Sequence, residues 1–355
     1  MKFMKKLLLI EASNVKSIGM MNQIVCFIDI LRKDEIDFEI IGNTKLKEFC
    51  PNLNLLIFSK LNFFNKKRII QKYVSNNPNI NKIIFFGNYG LNIKGVKNIV
   101  NFSNLNLLEV NYFNKSSFMW RLKKKYFNYS IKNIDIIIVP TNEVKILLQN
   151  SIKTNVLKIV IIPFYEFDKL IKIKASLKRN VESNSFIYMS STAPHKNHDN
   201  LLKAWEILFH RGYNFKLKLS IKEENTRLTK KIDFLKSIGI QIENVNKIGF
   251  LSSRDVYSEI YNSEYTIFPS LIETFGYGLI EGTILDNYVI SSDLPYTNSV
   301  VLPSAKFNPY SPKSIADIVE HSVNNKSSLR KSELIIKNNS FNLIKILDET
   351  FEFSN

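Results

Sequence analysis

The chain has 355 residues, of which 45% are hydrophobic and 12% aromatic, and it carries a formal net charge of +17. This length exceeds one typical core and predicts two α/β domains of about 170 residues each, while the apolar content excludes a disordered chain. The only cysteines, Cys26 and Cys50, exclude a disulfide framework and do not have the spacing of a zinc site.

The positive charge is confined to the first half. Residues 1–180 hold 30 Lys and Arg against 12 Asp and Glu, whereas residues 181–355 hold 19 against 20. Residues 51–108 contain eight basic side chains and no acidic one. Such a field favours an anionic partner for the first half: a phospholipid surface, a pyrophosphate-linked lipid or a nucleic acid.

The N-terminus imitates a secretory signal, but its apolar run ends at Glu11 after four residues, too short for an h-region. No window approaches the roughly 18 apolar residues of a membrane span. We therefore expect a cytoplasmic protein whose contact with a membrane, if it makes one, is peripheral.

Strands alternate with helices through the first half, which predicts a parallel, doubly wound sheet. Gly19 is the single glycine of the first loop, residues 13–19, where a dinucleotide fold would show G-x-G-x-x-G, so a dehydrogenase is disfavoured. The predicted strands are 6–11, 38–41, 55–58, 82–86, 99–102 and 134–139, and the predicted helices 20–33, 65–75 and 117–131.

The helix predicted at 117–131 has two interpretations. It is a core helix with a solvated basic face, or it rests on an anionic membrane with aromatic rings at headgroup depth. The basic segment 60–72 would belong to the same surface. The side chains concerned are Phe118, Trp120, Tyr126 and Phe127 with Arg121, Lys123, Lys124 and Lys125.

Residues 169–184 are polar and basic and are interpreted as an interdomain hinge. A strand at 185–189 follows, then a helix with one apolar face that includes Trp205, a strand at 215–221 and a helix at 225–238. Ser311 followed by Pro312 predicts the cap and first turn of a helix that ends near Asn324.

The most informative stretch begins with a buried strand at 265–268, closed by Pro269, and continues through Gly276 and Gly278 into a helical pattern. A strand, a glycine turn and a helix in this order direct free backbone N–H groups and a positive helix end at an anion. Glu273 and Glu281 flank the turn. We interpret them as acceptors for the hydroxyls of a nucleotide sugar, one for the sugar ring and one for the ribose. The alternative is a core helix with a solvated Glu281.

Residues 273–281, ETFGYGLIE, resemble the E-x7-E motif of the retaining GT-B glycosyltransferases of family 4, and the segments after it, YVISSD and AKFNP, are similar as well. The resemblance implies an α/β fold of two Rossmann-like, doubly wound domains facing a central cleft. The expected ranges are an acceptor domain at 1–170, a nucleotide-sugar domain at 171–340, and a C-terminal helix at 341–355 that packs back on the first domain.

The resemblance also implies roles for individual residues. Lys196 matches the lysine of the family's phosphate-binding loop, but Ser190 and Ser191 stand where the family has a glycine and an arginine. Glu273 and Lys196 would be catalytic, and Gly19 would face the acceptor, together with the basic residues of the 117–131 helix. The donor-binding residues would be Glu281, Thr274, Phe275, Gly276, Gly278, Ser191 and Phe250.

The implied activity is transfer of a sugar, with retention, from a nucleoside-diphosphate sugar to a glycan or lipid-linked glycan. The family habit suggests a role in bacterial surface polysaccharide: O-antigen, capsule or lipopolysaccharide. No metal cofactor is expected, because the chain has no D-x-D motif, and His195 and His198 have no carboxylate spaced to share a metal. Two alternatives stay open: an inert GT-B nucleotide-binding module and a basic nucleic-acid-binding protein, the latter disfavoured because no known binding module is present.

Overall fold

The computed structural model describes residues 6–58, 61, 65–108, 118–132, 134–152, 158–165, 167–221, 226–245, 253–337 and 340–347. Contacts divide the chain into two compact units, one made of residues 1–165 and 338–355 and the other of residues 166–337. Each unit contains a six-stranded sheet, and every strand pair in both sheets is parallel. This confirms the expected α/β class.

The sheet of the first unit has the order β2-β1-β3-β4-β5-β6. Its strands are β1 Leu7–Glu11, β2 Phe38–Ile41, β3 Ile80–Phe85, β4 Lys97–Asn101, β5 Ile136–Val139 and β6 Lys158–Ile161. The helices that alternate with them are α1 Ile18–Lys33, α2 Thr44–Phe49, α3 Lys66–Asn76, α4 Phe118–Ile131 and α5 Asn142–Ser151. The strand order reverses between β1 and β3, and open α/β sheets bind ligands at such a topological switch point.

The sheet of the second unit has the order β13-β11-β10-β7-β8-β9, and the strand order reverses between β7 and β10. Strands β12 and β14 form a separate antiparallel pair. The strands are β7 Glu182–Tyr188, β8 Lys216–Leu219, β9 Ile242–Asn244, β10 Ser263–Phe268, β11 Tyr288–Ser292, β12 Val301–Leu302, β13 Ala305–Phe307 and β14 Glu333–Leu334. The helices are α6 Phe167–Ser176, α7 His198–His210, α8 Thr226–Ser237, α9 Ser253–Asn262, α10 Tyr277–Ile284, α11 Pro295–Asn298 and α12 Pro312–Asn324.

Aromatic side chains join the two central strands of the second sheet. The ring of Phe186 on β7 stacks on Tyr265 of β10, with centroids 4.5 Å apart and planes inclined by 10°. Trp205 of α7 meets Phe186 edge-on at 5.2 Å and is itself fully buried. This packing holds the β7–β10 junction rigidly under the loops that follow both strands.

The last helix, α13 Ser340–Leu347, belongs to the first unit. Leu343 and Ile346 are buried in the core that also contains Phe27 of α1. The Lys82 ammonium donates a 2.7 Å hydrogen bond to the carbonyl of Leu347. The polypeptide therefore returns, after its second unit, to complete the core of its first.

The secondary structure of two segments differs from the sequence prediction. The segment 55–58 is not a strand. Leu56 makes one isolated parallel bridge with Ile41, so pairing at this sheet edge extends over a single residue. The stretch interpreted as a hinge contains most of α6, whose Leu170 is buried, so a helical apolar side was overlooked among the lysines.

Candidate active site

The candidate site is built on the loops after β7 and β10, at the point where the second sheet changes direction. After β7, residues Pro194–Lys196 form a single 3-10 turn, and Asn197 is the N-cap of α7. After β10, the chain passes Glu273 and reaches Gly276, which precedes α10. Parallel strands end at a common edge, so these two loops lie side by side.

The short helix α10 depends on two glycines. Gly276 has φ +74° and ψ +51°, a left-handed conformation that other residues adopt only with strain. A Cβ atom on Gly278 would lie 2.9 Å from a ring carbon of Phe268, so glycine allows the first turn to approach β10 closely. The first turn of α10, which carries the positive end of the helix dipole, is consequently held at the carboxyl edge of the sheet.

The structure brings Lys196 and Glu273 together. The Lys196 ammonium lies 2.5 Å from a carboxylate oxygen of Glu273. The side chain of Lys196 is 17% exposed and that of Glu273 is 11% exposed. The two groups predicted to be catalytic thus form a mostly buried ion pair next to the glycine turn.

Backbone contacts fix the two loops to each other. The N–H of Leu271 donates to the carbonyl of His195 at 2.8 Å. The buried hydroxyl of Tyr188 donates to the Lys196 carbonyl at 3.1 Å and lies 2.8 Å from the Ser270 hydroxyl. The backbone on both sides of the ion pair is therefore anchored to β7. The sequence analysis did not predict this role for Tyr188.

Glu281, in the second turn of α10, is half-buried. Burial raises the pKa of its carboxyl from 4.5 to about 7. Across the residues that the structure describes, this carboxyl has no hydrogen-bond or ion-pair partner. It is an acceptor whose charge is costly until a ligand supplies donors.

The other predicted donor residues lie near this turn or outside the described residues. Phe275 is buried and meets Tyr277 edge-on at 4.8 Å, Thr274 is half-buried, and Ser191 is exposed. Phe250 and the rest of residues 246–252 lie outside the described residues.

The histidines of the β7 loop are held in place by packing. His198 is buried 3.3 Å from the Ser190 hydroxyl, and burial, together with Lys196, lowers its pKa to about 4. Burial and the same lysine also lower the pKa of His195. Over the described ranges, no three His, Cys, Asp or Glu side chains gather as metal ligands.

In the first unit, Gly19 lies in the opening turn of α1 and not in the preceding loop, because the Ser17 hydroxyl accepts from the N–H of Met20 and caps the helix earlier than expected. On α4, Arg121, Lys123 and Lys125 are exposed and Lys124 is half-buried. The described part of the chain contains no helix long and apolar enough to cross a membrane.

Sequence reasoning missed a buried charge pair in the first unit. Glu11, at the end of β1, is 1% exposed, and its carboxylate lies 2.6 Å from the ammonium of Lys66. Lys66 is itself buried, so the prediction that it belongs to a basic surface was wrong. Ser13 donates to the same carboxylate through both its N–H and its hydroxyl. The sequence did contain a sign of this pair, because Glu11 directly follows the apolar residues of β1 and a carboxylate at such a position needs a partner.

Residues 171–340 match the family model of the glycosyl transferases group 1. No curated protein matches the chain in sequence. Among solved structures, the fold is similar to the pneumococcal O-GlcNAc transferase GtfA in complex with UDP and GlcNAc, at 12% identity and a TM-score of 0.65, covering 92% of this chain and 94% of that one.

Two further structures share the fold. A mutant of S. aureus TarM in complex with Fondaparinux, α-GlcNAc-glycerol and UDP is 17% identical, with a TM-score of 0.58. The match covers 72% of this chain but only 52% of the TarM chain, so this chain spans about half the length of that protein. The UDP-GlcNAc 2-epimerase of Methanocaldococcus jannaschii, in complex with UDP-GlcNAc and UDP, is 16% identical at 0.59 over 96% and 99% of the two chains. These likenesses show the fold, which hosts more than one reaction.

The fold is that of the GT-B glycosyltransferases. More particularly, residues 171–340, just under half of the chain, match the model of the glycosyl transferases group 1 family.

Proposed function

We propose that this enzyme moves a sugar from a nucleoside-diphosphate sugar to a glycan or lipid-linked glycan and retains the anomeric configuration. The observation that carries the proposal is the contact of Lys196 with Glu273 beside the glycine-started helix α10. A cation, an acceptor for hydroxyls and an anion-attracting helix end then share one edge of the sheet, as an activated sugar requires.

Lys196 neutralises the diphosphate as it leaves. The bond from the anomeric carbon to the phosphate oxygen breaks, so negative charge grows on that oxygen, and a fixed ammonium together with the positive end of the α10 dipole stabilises it. These groups supply the positive charge that a metal would otherwise provide, and we propose no metal cofactor. The serines at 190 and 191 add no cation to this set.

Glu273 holds hydroxyls of the donor sugar and steadies the positive charge that develops at the anomeric carbon. In the absence of donor, its carboxylate is occupied by Lys196. Donor binding exchanges this contact: the diphosphate takes the ammonium and the sugar hydroxyls take the carboxylate. Glu281 holds the ribose hydroxyls, which donate hydrogen bonds to its half-buried carboxyl.

We assign the acceptor to the first unit, because the positive charge of the chain lies there. On α4, Leu122 and Tyr129 are exposed and seven residues apart, which places them on one helix face among lysines. No acidic residue occurs in 118–132. This surface suits the anionic inner face of the plasma membrane, and the proposed setting is surface polysaccharide synthesis in the cytoplasm.

The proposal is tested with purified protein and a panel of nucleotide sugars. UDP-sugars come first, because the similar structures contain UDP, followed by GDP- and dTDP-sugars. Glu273→Gln and Lys196→Ala should each lower transfer by about 100-fold or more. The exposed Lys203→Ala on α7 is the matched control and should keep wild-type turnover.

NMR of the product determines whether configuration is retained, and inversion would contradict the proposed mechanism. Turnover unchanged in both site variants would remove the assigned roles. Binding of a nucleotide sugar by the wild-type protein with neither transfer nor hydrolysis would instead favour the inert nucleotide-binding module, for which the Ser190–Ser191 substitution is the specific argument.

A further inference from the structure

Asn197 follows Lys196 directly and has an unusual backbone. Its φ is +61° and its ψ +32°, the left-handed region, at the N-cap position directly before α7. The residue is 6% exposed. A left-handed residue other than glycine is uncommon, and asparagine is among the few that tolerate the conformation.

The side chain of Asn197 joins three loops of the second unit. Its amide nitrogen donates to the carbonyl of Pro269, in the loop after β10, at 3.0 Å and to that of Pro309, after β13, at 2.8 Å. Both hydrogens of one amide group are thus used on two backbone carbonyls of different loops.

We propose that Asn197 is a positioning residue that sets the direction of the Lys196 side chain. This inference rests on the proposed function for its kinetic consequence, but its geometric part stands by itself. The left-handed turn fixes where the backbone of Lys196 points, and the bidentate amide fixes that turn against the strand end that leads to Glu273. The ammonium is therefore aimed at the site before the donor arrives.

A purely structural role is the competing explanation, and Asn200 provides its control. The Asn200 amide donates to the same Pro309 carbonyl at 3.0 Å from one turn further along α7. It ties the same two segments together but is not attached to Lys196. Removing it should affect stability without changing how the lysine is aimed.

The experiment compares Asn197→Gly with Asn200→Ala. Glycine keeps the left-handed backbone and removes only the amide, so its effect is that of the two hydrogen bonds. We expect Asn197→Gly to raise the KM for the nucleotide sugar, or lower kcat, by about tenfold or more, since small misplacements of a reacting group cost such factors. Asn200→Ala should leave both constants unchanged, although each variant lowers Tm.

A second set of variants tests whether Asn197 acts through Lys196. In a Lys196→Ala background, Asn197→Gly should cause little further loss, because the group that it positions is gone. Asn197→Asp, which also tolerates the left-handed turn, replaces the glycine variant if that protein does not fold. Equal kinetic losses in the Asn197 and Asn200 variants, or additive losses with Lys196→Ala, would overturn the proposal.

A crystal structure of Asn197→Gly separates this inference from the proposed function. The expected result is a Lys196 ammonium displaced from Glu273, and an unchanged ion pair would refute the inference. If the wild-type enzyme transfers no sugar, the proposed function fails, and this structural comparison still decides the positioning role.

Discussion

Lys196 and Glu273 are 77 residues apart in sequence, yet their side-chain charges lie 2.5 Å from each other. Each comes from a loop at the carboxyl end of one of the two central strands of the second sheet, which makes the contact a direct product of the strand order. The pair is mostly buried, so removing either charge leaves the other poorly solvated.

The first prediction concerns the stability of this pair. Lys196→Met and Glu273→Gln should each lower the free energy of unfolding by about 1 to 3 kcal/mol, because each leaves a largely buried polar group without its partner. The double variant should cost less than the sum of the two. Urea unfolding of all four proteins measures this coupling, and strictly additive costs would mean that the two charges do not interact.

The second prediction concerns pH. Burial raises the pKa of Glu281 to about 7, so the folded protein holds a proton on this group that the unfolded chain has already lost. Its contribution to stability should therefore be most favourable at low pH and should decline as pH rises from about 4.5 to about 7. In the proposed role of Glu281, ribose hydroxyls donate to the ionised carboxylate, so nucleotide affinity should increase as the pH rises through about 7.

Titration calorimetry with UDP from about pH 6 to about pH 8 tests this prediction, with Glu281→Gln as the comparison. The variant should bind more weakly and lose the pH dependence attributed to Glu281. An identical pH profile in both proteins would assign the effect to another group.

The third prediction concerns the Glu11–Lys66 pair of the first unit. Its side chains are 1% and 10% exposed, so Lys66→Met should destabilise the protein by about 3 to 5 kcal/mol by leaving a buried carboxylate uncompensated. Lys67→Met, on the exposed neighbour, is the matched control and should be nearly neutral. Adding Glu11→Gln to Lys66→Met should restore part of the loss in denaturant unfolding, and no recovery would argue against the ion pair as the cause.

The fourth prediction concerns the membrane. Replacing both Leu122 and Tyr129 with serine should weaken sedimentation with anionic liposomes, because these exposed side chains lie among the cations of α4. Ile146→Ser, which removes an exposed apolar side chain on α5, is the control. Raising the salt concentration should weaken binding of the wild-type protein. Equal binding to neutral vesicles, or none to either kind, would contradict this docking surface.

Local patterns were legible in the sequence where neighbouring residues decide the structure. The Ser311 hydroxyl caps α12 by accepting from the N–H of Ser314, as the Ser-Pro pair predicts, because a cap joins residues within one turn. The glycine turn into α10 was recognised for the same reason: a left-handed position favours glycine because of the residue's own backbone, whatever surrounds it. The alternation of strands and helices was sufficient for the α/β class.

Only the tertiary structure decided which charges meet. The sequence presented Lys66 as one of many lysines in a basic segment, but chain folding buries it against Glu11. No sequence pattern singled out Asn197, although its amide joins segments that are distant in sequence. Hydrophobic periodicity and turn chemistry act over a few residues, whereas ion pairs and buried hydrogen bonds depend on strand order, which packing of the whole sheet selects.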